Sequence, residues 1–302
     1  MKNEKDIRDD EIRILGNNGE DKGKNSKILL LGMLIATLAI LGCLALLVTH
    51  PSKTHTKNTP IPPNDILPYF EQVTEKHPTK PHKLGREVNP DAKGFCEIRD
   101  TTINDIPLLL YIPHNARMTL HVGRMNQQDT TVIYAAQAAD VRRDNEKILG
   151  AFVLKGEPLA WGLSKKGFCA SIDGVVTVGV ADNSPLFEEA TEREGYFFRQ
   201  YPLVKDGVLI ENEPKNKSER RAICDRMGEI FMVESLSKES FHDFAQALVD
   251  LGVDQAVYLV GSTAFGWAVD EHGEHHKFGE ENYYRGHRRM PKNTSYIVWK
   301  TK

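Results

Sequence analysis

Residues 138–147, AADVRRDNEK, crowd Asp140, Arg142, Arg143 and Asp144 where an apolar run ends. Paired arginines can hold a phosphate through fork-like hydrogen bonds, and a neighbouring carboxylate can move a proton. The same residues can equally close a solvated turn through ion pairs. A second pair, Arg220 and Arg221 in NKSERRAICD (216–225), stands just before an apolar strand. Strand alternation sends the two to opposite faces, so one of them can turn into a cleft. Asp182 and Glu188 are further acid/base candidates, although a helix N-terminus favours such carboxylates for its own stability. His272, His275 and His276 in HGEHHKF, with His287 nearby, are types that zinc accepts. They fall on an expected hairpin turn with no cysteine among them, so a solvated turn is the preferred reading. GFCASIDGVVTVG (167–179) has glycines, but neither a G-x-G-x-x-G order nor a helix directly after, which argues against nucleotide binding. Ser262 has no G-x-S-x-G elbow around it, which argues against a serine hydrolase triad. No metal site and no cofactor is read from the chain.

The elements that must position these residues are mainly strands. IPLLLYI (106–112), MTLHV (118–122), TVIYAAQA (131–138), GVVTVGVA (174–181), GVLI (207–210), GEIFMVE (228–234) and SYIVW (295–299) are β-rich runs between polar breaks. Residues 264–279 read as a hairpin turning near His272–Gly273. One clear helix spans about 238–251, where Phe241, Phe244, Ala245, Leu248 and Val249 form an apolar stripe. Ser240 with Asp243 resembles a capping box, and Gly252 is a natural stop. SPLFEEATERE (184–194) looks like a second helix, with Ser184 as its cap. After the long helix, QAVYLVGST carries a strand out to Gly261 and Ser262, a strand end where α/β units often place sites. These patterns give an α+β fold: a mostly antiparallel, curved sheet with a few helices.

The 302 residues divide by composition. Residues 1–27 carry seven Lys/Arg and seven Asp/Glu with few large apolar groups, which predicts a disordered tail. Residues 28–48, ILLLGMLIATLAILGCLALLV, are uncharged and long enough to cross a hydrocarbon core of about 30 Å as a helix. Lys22, Lys24 and Lys27 before this run outweigh Lys53 and Lys57 after it, placing the N-terminus in the cytoplasm. An uncleaved signal-anchor is preferred over a cleaved signal peptide. Eight of the fifteen prolines lie between Pro51 and Pro90, so 49–94 reads as an extended stalk. A globular domain follows over 95–302, on the extracytoplasmic side (periplasm or cell surface). The net charge of −3 belongs to the part beyond the span and gives no electrostatic footprint for nucleic acid. Cys96, Cys169 and Cys224 suit no zinc site, and buried free thiols are the expectation.

From about Val132 to Trp299 the order of motifs resembles the phosphodiester glycosidase family. In LGAFVLKGEPLAWG (149–162) the family's Asn-Gly-Gly-Phe-Phe and Gly-x-Pro-x-Gly pattern keeps Gly150, Phe152, Gly156, Pro158 and Gly162. RRAIC keeps Arg220, Ala222 and Ile223 of an Arg-Thr-Ala-Ile-Gly strand. FAQALVDLGVDQAVYLVGST keeps Leu251, Gly252, Ala256, Leu259 and Gly261 of a helix and a strand ending Leu-Asp-Gly-Gly-Gly-Ser. Leu149 stands where the family has Asn, and Val260 where it has Asp. Together with the apolar run 28–48, the resemblance implies a membrane-anchored protein that acts on or binds a sugar phosphodiester or glycan phosphate. Arg220 would meet the phosphate, with Arg142, Gly261 and Ser262 as further ligand contacts. Asp140 and Asp182 are the carboxylates available for acid/base work. The alternative is a catalytically inactive glycan-binding or envelope-interaction domain on the same fold, which Val260 and Leu149 favour.

Overall fold

The computed structural model describes residues 88–281 and 289–301. The acidic–basic tail, the apolar run 28–48, most of the Pro-rich stretch and His287 lie outside them. Among the described residues, no helix is long and apolar enough to cross a membrane. The described residues form an α+β fold, with three antiparallel sheets and two helices among them.

The first sheet has seven strands: β1 (Phe95–Ile103), β2 (Ile106–His114), β10 (Pro202–Lys205), β11 (Val208–Leu209), β12 (Arg221–Arg226), β13 (Glu229–Ser235) and β14 (Gln255–Leu259). Their spatial order is β1-β2-β13-β12-β14-β10-β11. The second sheet runs β16 (His275–Phe278), β15 (Gly266–Val269), β4 (Val132–Gln137), β17 (Ser295–Lys300), β3 (Arg117–Val122). The third runs β6 (Glu157–Trp161), β5 (Ala151–Leu154), β9 (Tyr196–Gln200), β7 (Gly167–Ile172), β8 (Val175–Val180). Helix α1 is Leu186–Glu192 and helix α2 is Phe241–Asp250.

Tight turns set much of this order. Asp173–Gly174 and Met227–Gly228 each carry positive φ at both residues and join paired strands directly, the twist-compatible two-residue hairpin loop. Asn104–Asp105, Lys155–Gly156 and Asp206–Gly207 do the same. The stretch 167–179 is therefore a hairpin, β7–β8.

The inner faces of all three sheets meet in one core, with Tyr111, Ile223 and Leu259 from the first, Ile133 and Trp299 from the second, and Phe152, Cys169 and Phe198 from the third. Helix α2 covers the outer face of the first sheet with Phe241, Phe244, Ala245, Ala247 and Leu248. Ser240 caps it by accepting the Asp243 amide at 3.0 Å. Helix α1 covers the third sheet with Leu186, Phe187 and Ala190. Ser184 accepts the Leu186 amide at 3.3 Å, so the capping residue lies one position further from the helix than expected. The expected apolar runs all appear as strands. Strands β1, β5, β6, β7, β9 and β10 are additions: β6 alternates but carries Pro158 in its run, and the others alternate irregularly or are buried on both faces. Cys96, Cys169 and Cys224 are free and buried, and burial pushes their thiols up from the ordinary value.

Candidate functional site

Two strand ends come together first. The Val260 amide, just past β14, donates to the Gln137 carbonyl at the end of β4 at 3.1 Å. The chain leaves β4 into the loop that carries Asp140, whose carbonyl accepts the Leu149 amide at 2.8 Å. Leu149 and Val260, which take the places of the resembled family's polar residues, thus flank the segment bearing Asp140.

Asp140 is buried, 5% exposed, and forms an ion pair with Lys165, 2% exposed. The Lys165 ammonium also donates to Gln200 Oε1 and lies 4.0 Å from the centre of the Tyr201 ring. Asp140 Oδ2 takes the lysine, while Oδ1 has no hydrogen-bond partner among the described residues. An unsatisfied carboxylate oxygen out of water costs free energy, so its retention marks a place where a polar group belongs.

Arg220 reaches the same region from the other side. Its Nε donates to the Glu239 carbonyl at 2.9 Å and its Nη2 to the Asn216 carbonyl at 2.5 Å. These bonds hold the guanidinium 4.1 Å from the Phe241 ring centre and 5.8 Å from that of Tyr258. Tyr201, Phe241 and Tyr258 form one aromatic cluster, with ring centroids 5.3, 4.8 and 6.5 Å apart. Lys165 and Arg220 are therefore two buried cations on one aromatic cluster. Tyr258 Oη accepts the Gly261 amide at 3.2 Å, which fastens the turn to that cluster. A Cβ on Gly261 would lie 2.2 Å from the Glu219 carbonyl oxygen, so close backbone approach explains the glycine.

Arg221 faces the opposite way, as alternation requires. It pairs with Glu234 at 2.7 Å, and Tyr111 donates to the other Glu234 oxygen at 3.0 Å. Its Nη1 donates to the carbonyls of Val260, at 3.2 Å, and Ala264, at 2.8 Å, supporting the 260–264 turn from below. Arg199 does similar work nearby. Its guanidinium donates to the carbonyls of Lys165, Ala181 and Asp182 at 2.8, 2.9 and 3.0 Å. The charged residues buried among those described are Asp140, Lys165, Arg199, Arg220, Arg221 and Glu234, and all of them belong to this constellation.

The other sequence candidates fall differently. Asp182 is exposed and pairs with Lys166 at 2.8 Å, and that ammonium holds its carboxyl below the ordinary value. Adjacent lysines thus take the two acid/base candidates, one inside and one in water. Arg142 is held in a bidentate pair with Asp144, at 2.9 and 2.8 Å, at the solvent-facing end of its loop. This is the solvated turn closed by an ion pair. Ser262 is half-buried with φ +52°, and its amide donates to the Glu219 carbonyl at 2.8 Å. Glu188 lies in the first turn of α1, where a helix N-terminus favours it. The histidine-rich turn is an exposed hairpin end, where Asp270 accepts the His272 and Glu274 amides and bonds His276 at 2.7 Å. Asp270, Glu274 and His276 lie within reach of one cation, but the group is solvated and organised by the turn itself.

Lys165, Arg199, Gln200 and Tyr201 were not legible as site residues. The nearest signal was Gly167, where a Cβ would lie 2.7 Å from the Gln200 carbonyl oxygen. That glycine lets the Lys165 segment press against β9. The motif glycines act alike. A Cβ on Gly162 would lie 3.3 Å from Gly150, and one on Gly150 would lie 3.0 Å from the Arg199 Cβ.

No protein-family model matches the chain, and no curated protein does. Among solved structures, the chain is similar to the catalytic domain of zebrafish N-acetylglucosamine-1-phosphodiester alpha-N-acetylglucosaminidase, auto-inhibited by its pro-peptide. The TM-score is 0.51 at 11% identity, over 72% of this chain and 86% of that one. A hypothetical protein from Synechocystis superposes more loosely, with TM-score 0.45 at 13% identity, over 68% of this chain and 62% of that one. The likeness to the zebrafish catalytic domain is one of fold.

Proposed function

We propose that this chain binds, and is equipped to act on, a sugar phosphodiester or glycan phosphate at the cluster around the Gly261 turn. The observation that carries this reading is the convergence there of Arg220, Lys165 and an Asp140 oxygen with no partner among the described residues. Cations held by fixed carbonyls and rings are preorganised for an anion, and need no rearrangement when it arrives. The related fold of a phosphodiester glycosidase domain supports a sugar as the remainder of the ligand. In a hydrolytic step, water would add to the anomeric carbon and Asp140 Oδ1 would take its proton. The sugar–oxygen bond would break toward the phosphate held by Arg220 and Lys165. Arg199 and Arg221 position the two loops between which this occurs.

Calorimetry on the full chain with inorganic phosphate and N-acetylglucosamine 1-phosphate tests the binding, and aryl-phosphodiester turnover tests the reaction. Arg220→Ala should weaken both ligands at least tenfold, the loss of one charge-assisted contact of about 1.4 kcal/mol. Wild-type affinity in Arg220→Ala and Lys165→Met together would remove the assignment.

A second reading, a glycan-binding domain without turnover, is favoured by Val260 at the strand end. It predicts binding with no product release from any phosphodiester. In either case residues 28–48 are proposed to anchor the protein, with the domain outside the cytoplasm. Protease protection of an N-terminal tag in sealed cells, with the domain cleaved, is the expected pattern.

A further inference from the structure

Within the Pro-rich stretch, residues 77–86, HPTKPHKLGR, repeat with a period of three. A polyproline II helix turns once in about three residues, so positions i, i+3 and i+6 share an edge. Pro78, Pro81 and Leu84 then form an apolar edge, and His77, Lys80, Lys83 and Arg86 form a basic one. That conformation has no internal hydrogen bonds, so its carbonyls stay available to donors on a partner. A segment with this pattern suits a groove that offers apolar contact, amide side chains and an acidic rim.

Such a groove lies where the chain enters the domain. Its volume is about 430 Å³, and Val132, the first residue of β4, and Val269, the last of β15, line it. Gln127 and Gln128 line it from the loop between β3 and β4. Gly273 and His275 line it from the β15–β16 hairpin, whose end carries Asp270, Glu271 and Glu274. Glu274 is exposed, with its carboxylate grouped beside Asp270 and His276. Lys93, the one lysine lining the groove, donates to the Glu271 carbonyl and ties the entering chain to that hairpin. Asn89 and Pro90 line the groove themselves, so the chain just before them arrives at its edge. Lys83 stands six positions before Asn89, a reach of about 20 Å when extended.

We propose that residues 77–86 dock in this groove of their own chain as a polyproline II segment. Pro78 and Pro81 meet Val132 and Val269, while Lys80 and Lys83 face the acidic end of the β15–β16 hairpin. Charge complementarity sets the orientation, and the short connection to Asn89 makes the binding intramolecular, so modest contacts suffice. The groove lies at the start of β4, and the proposed sugar-phosphate site lies at its other end, where Gln137 meets Val260. Docking therefore leaves that site open and does not depend on it.

Trypsin reads the docking directly, because Lys53 and Lys57 lie in the same Pro-rich stretch and serve as an internal reference. In the full chain in detergent, cleavage after Lys76 and Lys83 should run about tenfold slower than after Lys57, as a docked fraction near 10:1 requires. Glu271→Gln with Glu274→Gln, both on the exposed hairpin end, should remove most of that protection. Pro78→Gly with Pro81→Gly, which alters only the segment, should do the same. Carbodiimide cross-linking should join Lys80 or Lys83 to Glu271 or Glu274 within one chain. Cleavage after Lys83 as fast as after Lys57 in the wild type overturns the proposal. Protection that survives both double variants also overturns it, by placing the segment elsewhere. Cross-links found only between chains, in a mixture of ¹⁵N-labelled and unlabelled protein, overturn it by making a second copy the occupant.

Discussion

Asp140 and Lys165 are worth most to each other. Removing one partner of a buried ion pair leaves an uncompensated charge, a loss of about 3 kcal/mol or more. Asp140→Asn should therefore lower stability to urea by about that amount, and adding Lys165→Met should recover much of it. Recovery in the double variant would mark the pair as a unit, and additive losses would count against it. If the protein turns over substrate, the same Asp140→Asn change should reduce the rate by about 10²- to 10⁴-fold. Asp270 gives a test at the opposite, solvated extreme. The His276 contact, helped by two backbone amides, lowers its carboxyl from 3.8 to about 2. A lowered folded value stabilises the hairpin end above the unfolded value, and the contribution disappears as pH falls through about 2. His276→Ala should move the Asp270 titration toward 3.8, read from its carboxyl carbon by NMR.

Elements, not single residues, decide where these groups meet. Helix α2 ends at Gly252, with φ +86°, and β14 follows at once, so its C-terminus reaches the Gln137 end of β4. Gly261 closes that junction. Gly261→Ala should cost about 2 kcal/mol, since its methyl group would enter the Glu219 carbonyl and force the turn away. A thermal midpoint unchanged from wild type would show that the turn has room to give. Ser240→Ala should cost about 1 kcal/mol by removing the α2 cap, with no change in phosphate affinity. Part of this layer was readable beforehand, because the apolar stripe of the long helix repeats at 3.6. The strands β5, β7 and β9 were hidden, being short and buried on both faces, which erases the period of two, and β6 was hidden by Pro158 within its run.

At the scale of the molecule, three sheets share one core, and its free thiols report on that core. In a Cys43→Ser background, Cys96, Cys169 and Cys224 should react with a thiol reagent only as fast as the domain opens. Rapid labelling of the folded protein would mean that the three-sheet core is looser than described. The sequence by itself determined the α+β class, the long helix and its cap, and the glycine turn after β14. Each of those rests on local chemistry or on the period of a single element. Only the tertiary structure decided that Lys165 lies inside and Lys166 in water. It also decided that Arg221 braces the 260–264 turn while Arg220 faces the aromatic cluster, and that Arg142 belongs to a surface turn. The difference is one of reach. Whether a charge is buried depends on partners brought in by the fold, 25 residues away for Asp140 and Lys165 and 43 for Arg221 and Ala264, and the local sequence does not record them.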